Sequence, residues 1–161
     1  MKCLECGTPL KVTRETIAYR QVGLPGVRLR NIEVRRCPAD GETYEVIPRI
    51  EELHALLARA VATKPAKLTP AEVVFLRKWL GWDRIEFAKR MDVQPETVSR
   101  WEHGSQGISG TTERLLRLMA LTQQPKHDYS LDMIKEVAHG RPKPVKVEIA
   151  ERDHEWALAT A

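Results

Sequence analysis

The residues most able to do chemistry in this chain are its three cysteines, Cys3, Cys6 and Cys37. Cys3-x-x-Cys6-Gly7 has the spacing at which two thiolates grip one tetrahedral ion while glycine eases the tight turn around it. Cys37-Pro38-Ala39-Asp40-Gly41 repeats that outline, with Asp40 where the second thiol would stand. A carboxylate oxygen is an acceptable zinc ligand, though harder than sulfur, so Cys3, Cys6, Cys37 and Asp40 form a candidate zinc site. For the fourth position His54, water or loss of the metal are the alternatives. For the whole cluster the alternatives are three packing thiols left from a decayed site, or a redox pair at Cys3/Cys6. No helix terminus of the kind that lowers a thiol pKa is expected beside those two thiols. An odd cysteine count in a reducing compartment also argues against a disulfide framework.

A second constellation lies at Gln94–Glu102. Phe75, Leu76, Leu80, Phe87, Ala88, Met91, Val93, Val98 and Trp101 have the spacing to close one small core from three short helices. That inward set leaves Gln94, Glu96, Thr97 and Arg100 on the opposite face of the third helix. A short polar helix of this kind fits the DNA major groove. Arg100 can donate two hydrogen bonds to guanine, Gln94 can pair with adenine, Glu96 can accept from cytosine, and Thr97 can meet a thymine methyl or a phosphate. Arg84 and the backbone around His103–Gly104 are placed for phosphate. The competing reading is a helical bundle with a solvated polar face.

The elements that must position these groups are legible from pattern. Lys11–Val22 and Val27–Arg36 alternate as strands across the turn signal Gly23-Leu24-Pro25-Gly26, and Glu42–Ile47 could add a third strand. From Ile50 the period becomes helical: Ile50, Leu53, Leu56, Leu57, Ala60 and Val61 share a face, to about Thr63. Lys64-Pro65-Ala66-Lys67 reads as a short linker. Thr69-Pro70-Ala71-Glu72 is a capping box opening a helix over Pro70–Leu80 that ends at Gly81. Asp83 caps a helix over Arg84–Met91, and Pro95 begins one that closes at Gly104. Ser109 or Thr111 opens another with apolar Leu115, Leu116, Leu118, Met119 and Leu121, the best candidates for a dimer surface together with a last helix over Leu131–Ala138. In the tail, Val145, Val147 and Ile149 alternate, as do Trp156 and Leu158. These short strands could pair with each other, with the β segment or with another chain, or the tail could be disordered.

Net charge is +4 over 161 residues, which permits nucleic-acid binding without demonstrating it. The excess is uneven: eleven Lys/Arg face seven Asp/Glu over Lys64–His127, against five and seven from Asp128 onward. No apolar run reaches the length of a membrane span, and the N-terminus lacks a signal-peptide core, so a cytosolic address is expected. His54, His103, His127, His139 and His154 are scattered, and no Gly-rich phosphate loop is present, so no enzyme activity is expected.

The stretch Leu68–Gly104 resembles the Xre/Cro–CI helix-turn-helix family, through the Leu-Arg-Lys segment before Gly81, Phe87-Ala88, Val93, and Thr97-Val98-Ser99-Arg100-Trp101-Glu102 followed by Gly104. Arg84 departs from the family's usual glutamine. Two knuckles, a hairpin, a connecting helix and this helix-turn-helix together resemble the MqsA/YgiT family of antitoxins over roughly the first 125 residues. That resemblance implies an N-terminal domain that binds zinc and a cognate toxin. It also implies a C-terminal domain that dimerises on a pseudo-palindromic operator of double-stranded DNA and represses its own operon. Cys3, Cys6 and Cys37 match its metal ligands and Arg100 a base-contacting arginine. Asp40 replaces its fourth cysteine, and Glu96 stands where the best-known member has asparagine. The expected fold class is α+β: a small zinc-ribbon-like β domain with its connecting helix (1–63), a five-helix Xre-type domain (68–140) and a C-terminal extension (141–161). The alternatives are a free-standing zinc-finger regulator without a toxin, and a protein-interaction module with a degenerate helix-turn-helix.

Overall fold

A computed structural model describes residues 1–122, 141–153 and 155–159. The helix expected over Leu131–Ala138 lies outside the described residues. The described chain is α+β. Strand β1 (Lys11–Ala18) pairs antiparallel with β2 (Val27–Arg36), and β3 (Thr43–Val46) follows. Five helices come next: α1 (Ile50–Thr63), α2 (Pro70–Trp79), α3 (Arg84–Arg90), α4 (Pro95–His103) and α5 (Gly110–Thr122). Strands β4 (Val147–Arg152) and β5 (Glu155–Leu158) end it. Among the described residues no helix is long and apolar enough to cross a membrane.

The sheet is organised around β2. Its buried side chains are Val27 and Leu29, then Ile32 and Val34, so the inward set moves from odd to even positions. A bulge causes the change: the β1–β2 register shifts between Glu15 and Ile17, opposite Asn31, which has a left-handed φ of 62°. One extra residue there keeps apolar side chains inward on both sides of the kink. Asparagine tolerates this φ better than most residues. The edge of β2 away from β1 is divided at the same point. Antiparallel β3 takes Glu33–Arg36, and parallel β4 takes Val27–Arg30.

The tail therefore does two of the things open to it: β4 joins the N-terminal sheet, and β5 pairs antiparallel with β4. Asn31 fastens the junction, its Nδ2 donating to the Glu151 carbonyl at 2.8 Å while Arg14 pairs with the Glu151 carboxylate at 3.1 Å. The Trp156 indole donates to the Pro48 carbonyl at 2.8 Å. Gly26 makes the approach possible, because a Cβ there would lie 2.1 Å from the Val145 carbonyl oxygen.

The helices begin and end where local chemistry dictates. The Thr69/Glu72 capping box closes in both directions, Asp83 accepts from the Glu86 N–H at 2.7 Å, and Gly104 ends α4 at a φ of 75°. Ser109 opens α5, its hydroxyl accepting from the Thr112 N–H at 3.1 Å. Buried residues from sheet and helices form one continuous core, with α1 contributing Leu53, Leu57, Ala58, Val61 and Ala62. Ile50, expected on that face, is 43% exposed, and Ala58 and Ala62 take the inner positions instead. Small residues fit there because α1 packs against both α2 and α5.

On α5 the inward residues are Glu113, Leu116, Arg117 and Ala120, while Leu115, Met119 and Leu121 are half-buried and Leu118 is exposed. Arg117 is wholly buried with all its donors used. It bonds the carbonyls of Ala62, Lys64 and Ala66 at 2.6–2.9 Å and the Glu113 carboxylate at 2.7 Å. The Lys64–Lys67 segment is thus gripped through its backbone, since carbonyls buried without donors would be costly. Glu72 adds a second tie, holding Lys64 Nζ at 2.6 Å and the Val145 N–H at 2.9 Å.

Candidate nucleic-acid interface and metal centre

Helices α3 and α4 stand on a small aromatic core. Phe87, Ala88, Val98 and Trp101 are buried, and Val93 packs beside them from the turn. Trp101 meets Phe87 edge-on at 6.1 Å between ring centroids, Trp82 stacks on Phe87 at 6.2 Å, and Arg90 lies 4.6 Å above Trp82. Asp92 makes the turn with a φ of 51°, and the Val93 N–H returns to the Ala88 carbonyl at 3.0 Å. With Val98 and Trp101 inward, Gln94, Glu96 and Arg100 are exposed and Thr97 is half-buried. Gln94 is the N-cap residue of α4, yet its side chain makes no capping bond. None of these four side chains is tied up by another described residue, so the whole face is available to an outside partner.

Sequence reasoning missed what fixes the angle of α4. Glu102, with its side chain 2% exposed, accepts Arg77 Nε from α2 and Arg84 Nε from α3, both at 2.6 Å. Arg77 also donates to the Trp82 carbonyl at 2.8 Å. Burial works against the Glu102 charge, but Arg77 and Arg84 together hold its carboxyl below the usual carboxylate range. One carboxylate thereby joins all three helices. Arg84, expected to face phosphate, spends Nε on Glu102 and keeps its terminal nitrogens on an exposed side chain. His103 is exposed, with Nδ1 2.7 Å from the Ser99 carbonyl, so Nε2 is its remaining polar atom.

The four expected metal ligands also come together. One ligand atom each from Cys3, Cys6, Cys37 and Asp40 lies within 4.8 Å of all the others. The two loops carrying them have the same backbone wiring. Gly7 N–H bonds the Cys3 carbonyl and Gly41 N–H the Cys37 carbonyl, each at 3.0 Å. Cys3 N–H reaches Thr8 at 2.9 Å, and Cys37 N–H reaches Glu42 at 2.8 Å. Both glycines have a left-handed φ, 71° at Gly7 and 80° at Gly41. Asp40 therefore occupies, by geometry as well as by spacing, the place equivalent to Cys6.

Cys6 Sγ lies 3.3 Å from Cys37 Sγ, and Cys3 Sγ lies 3.1 Å from Asp40 Oδ2. Sulfurs around a tetrahedral zinc ion sit about 3.8 Å apart, so a small outward movement would admit an ion. The thiol of Cys6, the N–H of Glu42 and the thiols of Cys37 and Cys3 hold the Asp40 carboxyl well below the usual range. Burial pushes the Cys37 thiol up to about 11, whereas the backbone N–H of Cys6 lowers Cys3. The Cys3 contact raises the Tyr44 hydroxyl to about 12. The donor set, soft on three corners and hard on one, could hold a metal ion. His54 is not among these donors: its Nε2 lies 2.9 Å from the Tyr19 hydroxyl. All three cysteines are free thiols, with Cys3 Sγ against Asp40 and Cys6 Sγ against Cys37 and the Thr8 hydroxyl.

No curated protein and no solved structure matches the chain. Residues 75–119, from the middle of α2 to near the end of α5, match the family model described as Helix-turn-helix. That match implies double-stranded DNA binding and supports a DNA-binding regulator. A helix-turn-helix occupies the centre of this chain, and the matched residues take in α3 and α4 whole.

Proposed function

We propose that the chain is a transcriptional repressor that binds a pseudo-palindromic operator as a homodimer, with α4 in the major groove. The observation that carries this reading is the divided surface of α4: Val98 and Trp101 are buried while Gln94, Glu96 and Arg100 stand exposed. Arg100 reads guanine, Gln94 adenine, and Glu96 and Thr97 the neighbouring positions. The terminal nitrogens of Arg84, together with His103 and the backbone at Gly104, hold phosphate. Two such helices in a symmetric dimer would stand about 34 Å apart, one turn of B-DNA.

Cys3, Cys6, Cys37 and Asp40 would hold zinc, which when bound cross-links the two knuckles. The resemblance to the MqsA/YgiT family supports an antitoxin role, with residues 1–63 engaging the toxin and residues 68–140 the operator. We assign no catalytic role to the chain and place its action in the cytoplasm.

Selection of bound fragments from random DNA, followed by footprinting, tests the operator reading. Enrichment of one pseudo-palindrome, protected on one face at a spacing of about one helical turn, is the expected result. Recovery of unrelated fragments, with binding that fades steeply in salt, would leave only non-specific attraction to phosphate. For the antitoxin role, purification from the native cell should bring down a small ribonuclease-like protein bound to the N-terminal part.

A further inference from the structure

We infer that the cleft between the β1–β2 turn and α2 is a binding site for a small aromatic carboxylate. The cleft has a volume of about 620 Å³, within the range of small-molecule sites. Its apolar surface comes from Val22 on the turn and from Val74, Phe75 and Trp79 on α2. His54 of α1 closes one side, its ring fixed by the 2.9 Å contact of Nε2 with the Tyr19 hydroxyl, which leaves Nδ1 as its remaining polar atom. Flat rings on two sides suit a flat ligand.

Charge selects the ligand further. Arg20 and Lys78 line the cleft, both are exposed, and neither has an acidic partner among the described residues. No aspartate or glutamate lines it. Arg14, Arg28, Arg30, Arg35 and Arg36 of the neighbouring strands are each paired with a glutamate, whereas both cations at this cleft are left to an outside anion. On the far side of His54 and Trp79 lies a second cleft of similar volume, but it carries Glu51 and Glu52 beside Arg59. An anion with an apolar body therefore suits the first cleft better than the second. A carboxylate offers the planar pair of oxygens that an arginine fork binds best.

The test is a titration of the full chain with 2-naphthoate, read at the assigned indole N–H resonance of Trp79 by heteronuclear NMR. Neutral 2-naphthamide, the same body without the charge, is the control. A saturable shift with a dissociation constant of about 1 mM or tighter is expected, from the efficiency typical of ligands this small. The amide should bind at least tenfold more weakly. Arg20→Gln combined with Lys78→Gln changes only exposed, unpaired side chains, so the variant should keep the parent spectrum and weaken naphthoate at least tenfold. The proposal is overturned by an unmoved Trp79 resonance at 10-fold the expected constant, by equal binding of amide and acid, or by undiminished binding in a folded double variant.

Discussion

Removing the Glu102 carboxylate should cost far more stability than its place at the end of an outward-facing helix suggests. In Glu102→Ala, Arg77 keeps its bond to the Trp82 carbonyl but loses its counter-ion, and its side chain is only 9% exposed. Leaving one member of a buried pair uncompensated costs about 3–5 kcal/mol. Arg84, with its side chain 52% exposed, makes the other half of the bridge, and an exposed pair contributes about 0–1 kcal/mol. Glu102→Ala and Arg77→Ala should therefore each lower stability by about 3–5 kcal/mol, and Arg84→Ala by about 1 kcal/mol or less. At a typical urea slope of about 2 kcal/mol/M the first two shift the midpoint by about 2 M. Since Arg77 and Arg84 hold the folded-state carboxyl below its ordinary value near 4.5, the Glu102 contribution is present above that pH and is lost as pH falls through the folded-state pKa. The gap between wild type and Glu102→Gln should accordingly close on acidification. Urea titrations of the three alanine variants at pH 7, repeated for wild type and Glu102→Gln down to about pH 3.5, decide the matter. Equal losses at Arg84 and Arg77, or a gap that widens in acid, would refute the reasoning.

Three further outcomes follow from particular contacts. Arg117→Lys keeps the charge but not the fork, so the carbonyls of Ala62, Lys64 and Ala66 cannot all be satisfied. A loss of about 3 kcal/mol or more in urea denaturation is expected, at about 1–3 kcal/mol per buried group left unpaired. Gly26→Ala drives a methyl into the Val145 carbonyl and should cost about 1–3 kcal/mol, with hydrogen-exchange protection falling first at the Val147 amide that bonds Gly26. Asp40→Cys completes a four-thiolate set and should hold zinc more tightly than the parent in chelator competition, while Asp40→Ala should bind at least about tenfold more weakly.

Much of the fold was legible because much of it is local. Thr69 and Glu72, Asp83, Pro95 and Gly104 mark helix ends through contacts within a few residues of themselves, and the outward set on α4 follows from helical period once Val98 and Trp101 are taken as core. The gathering of Cys3, Cys6, Cys37 and Asp40 was legible for a different reason: two loops of the same length and glycine position imply one shared centre. The tail's partner was not legible. Strand β4 pairs with a strand more than a hundred positions earlier, and alternation in Val147 and Ile149 indicates a strand without naming its neighbour. The burial of Arg117 and Glu113 was also hidden, because charge in a helix reads as solvated face unless the carbonyls it must satisfy are known. For Arg84 the residue and its exposure were foreseeable, but the Glu102 bond that orients it depends on where α4 ends in space.

Arg100 gives the most direct test of the claim that α4 reads sequence. Affinity of wild type and Arg100→Ala should be measured for the selected operator and for random duplex of equal length, at one salt concentration. The account predicts that the variant loses about 1–3 kcal/mol on the operator, roughly fivefold to 150-fold, and much less on random DNA. An Arg100→Ala variant that keeps wild-type operator affinity and preference would contradict it.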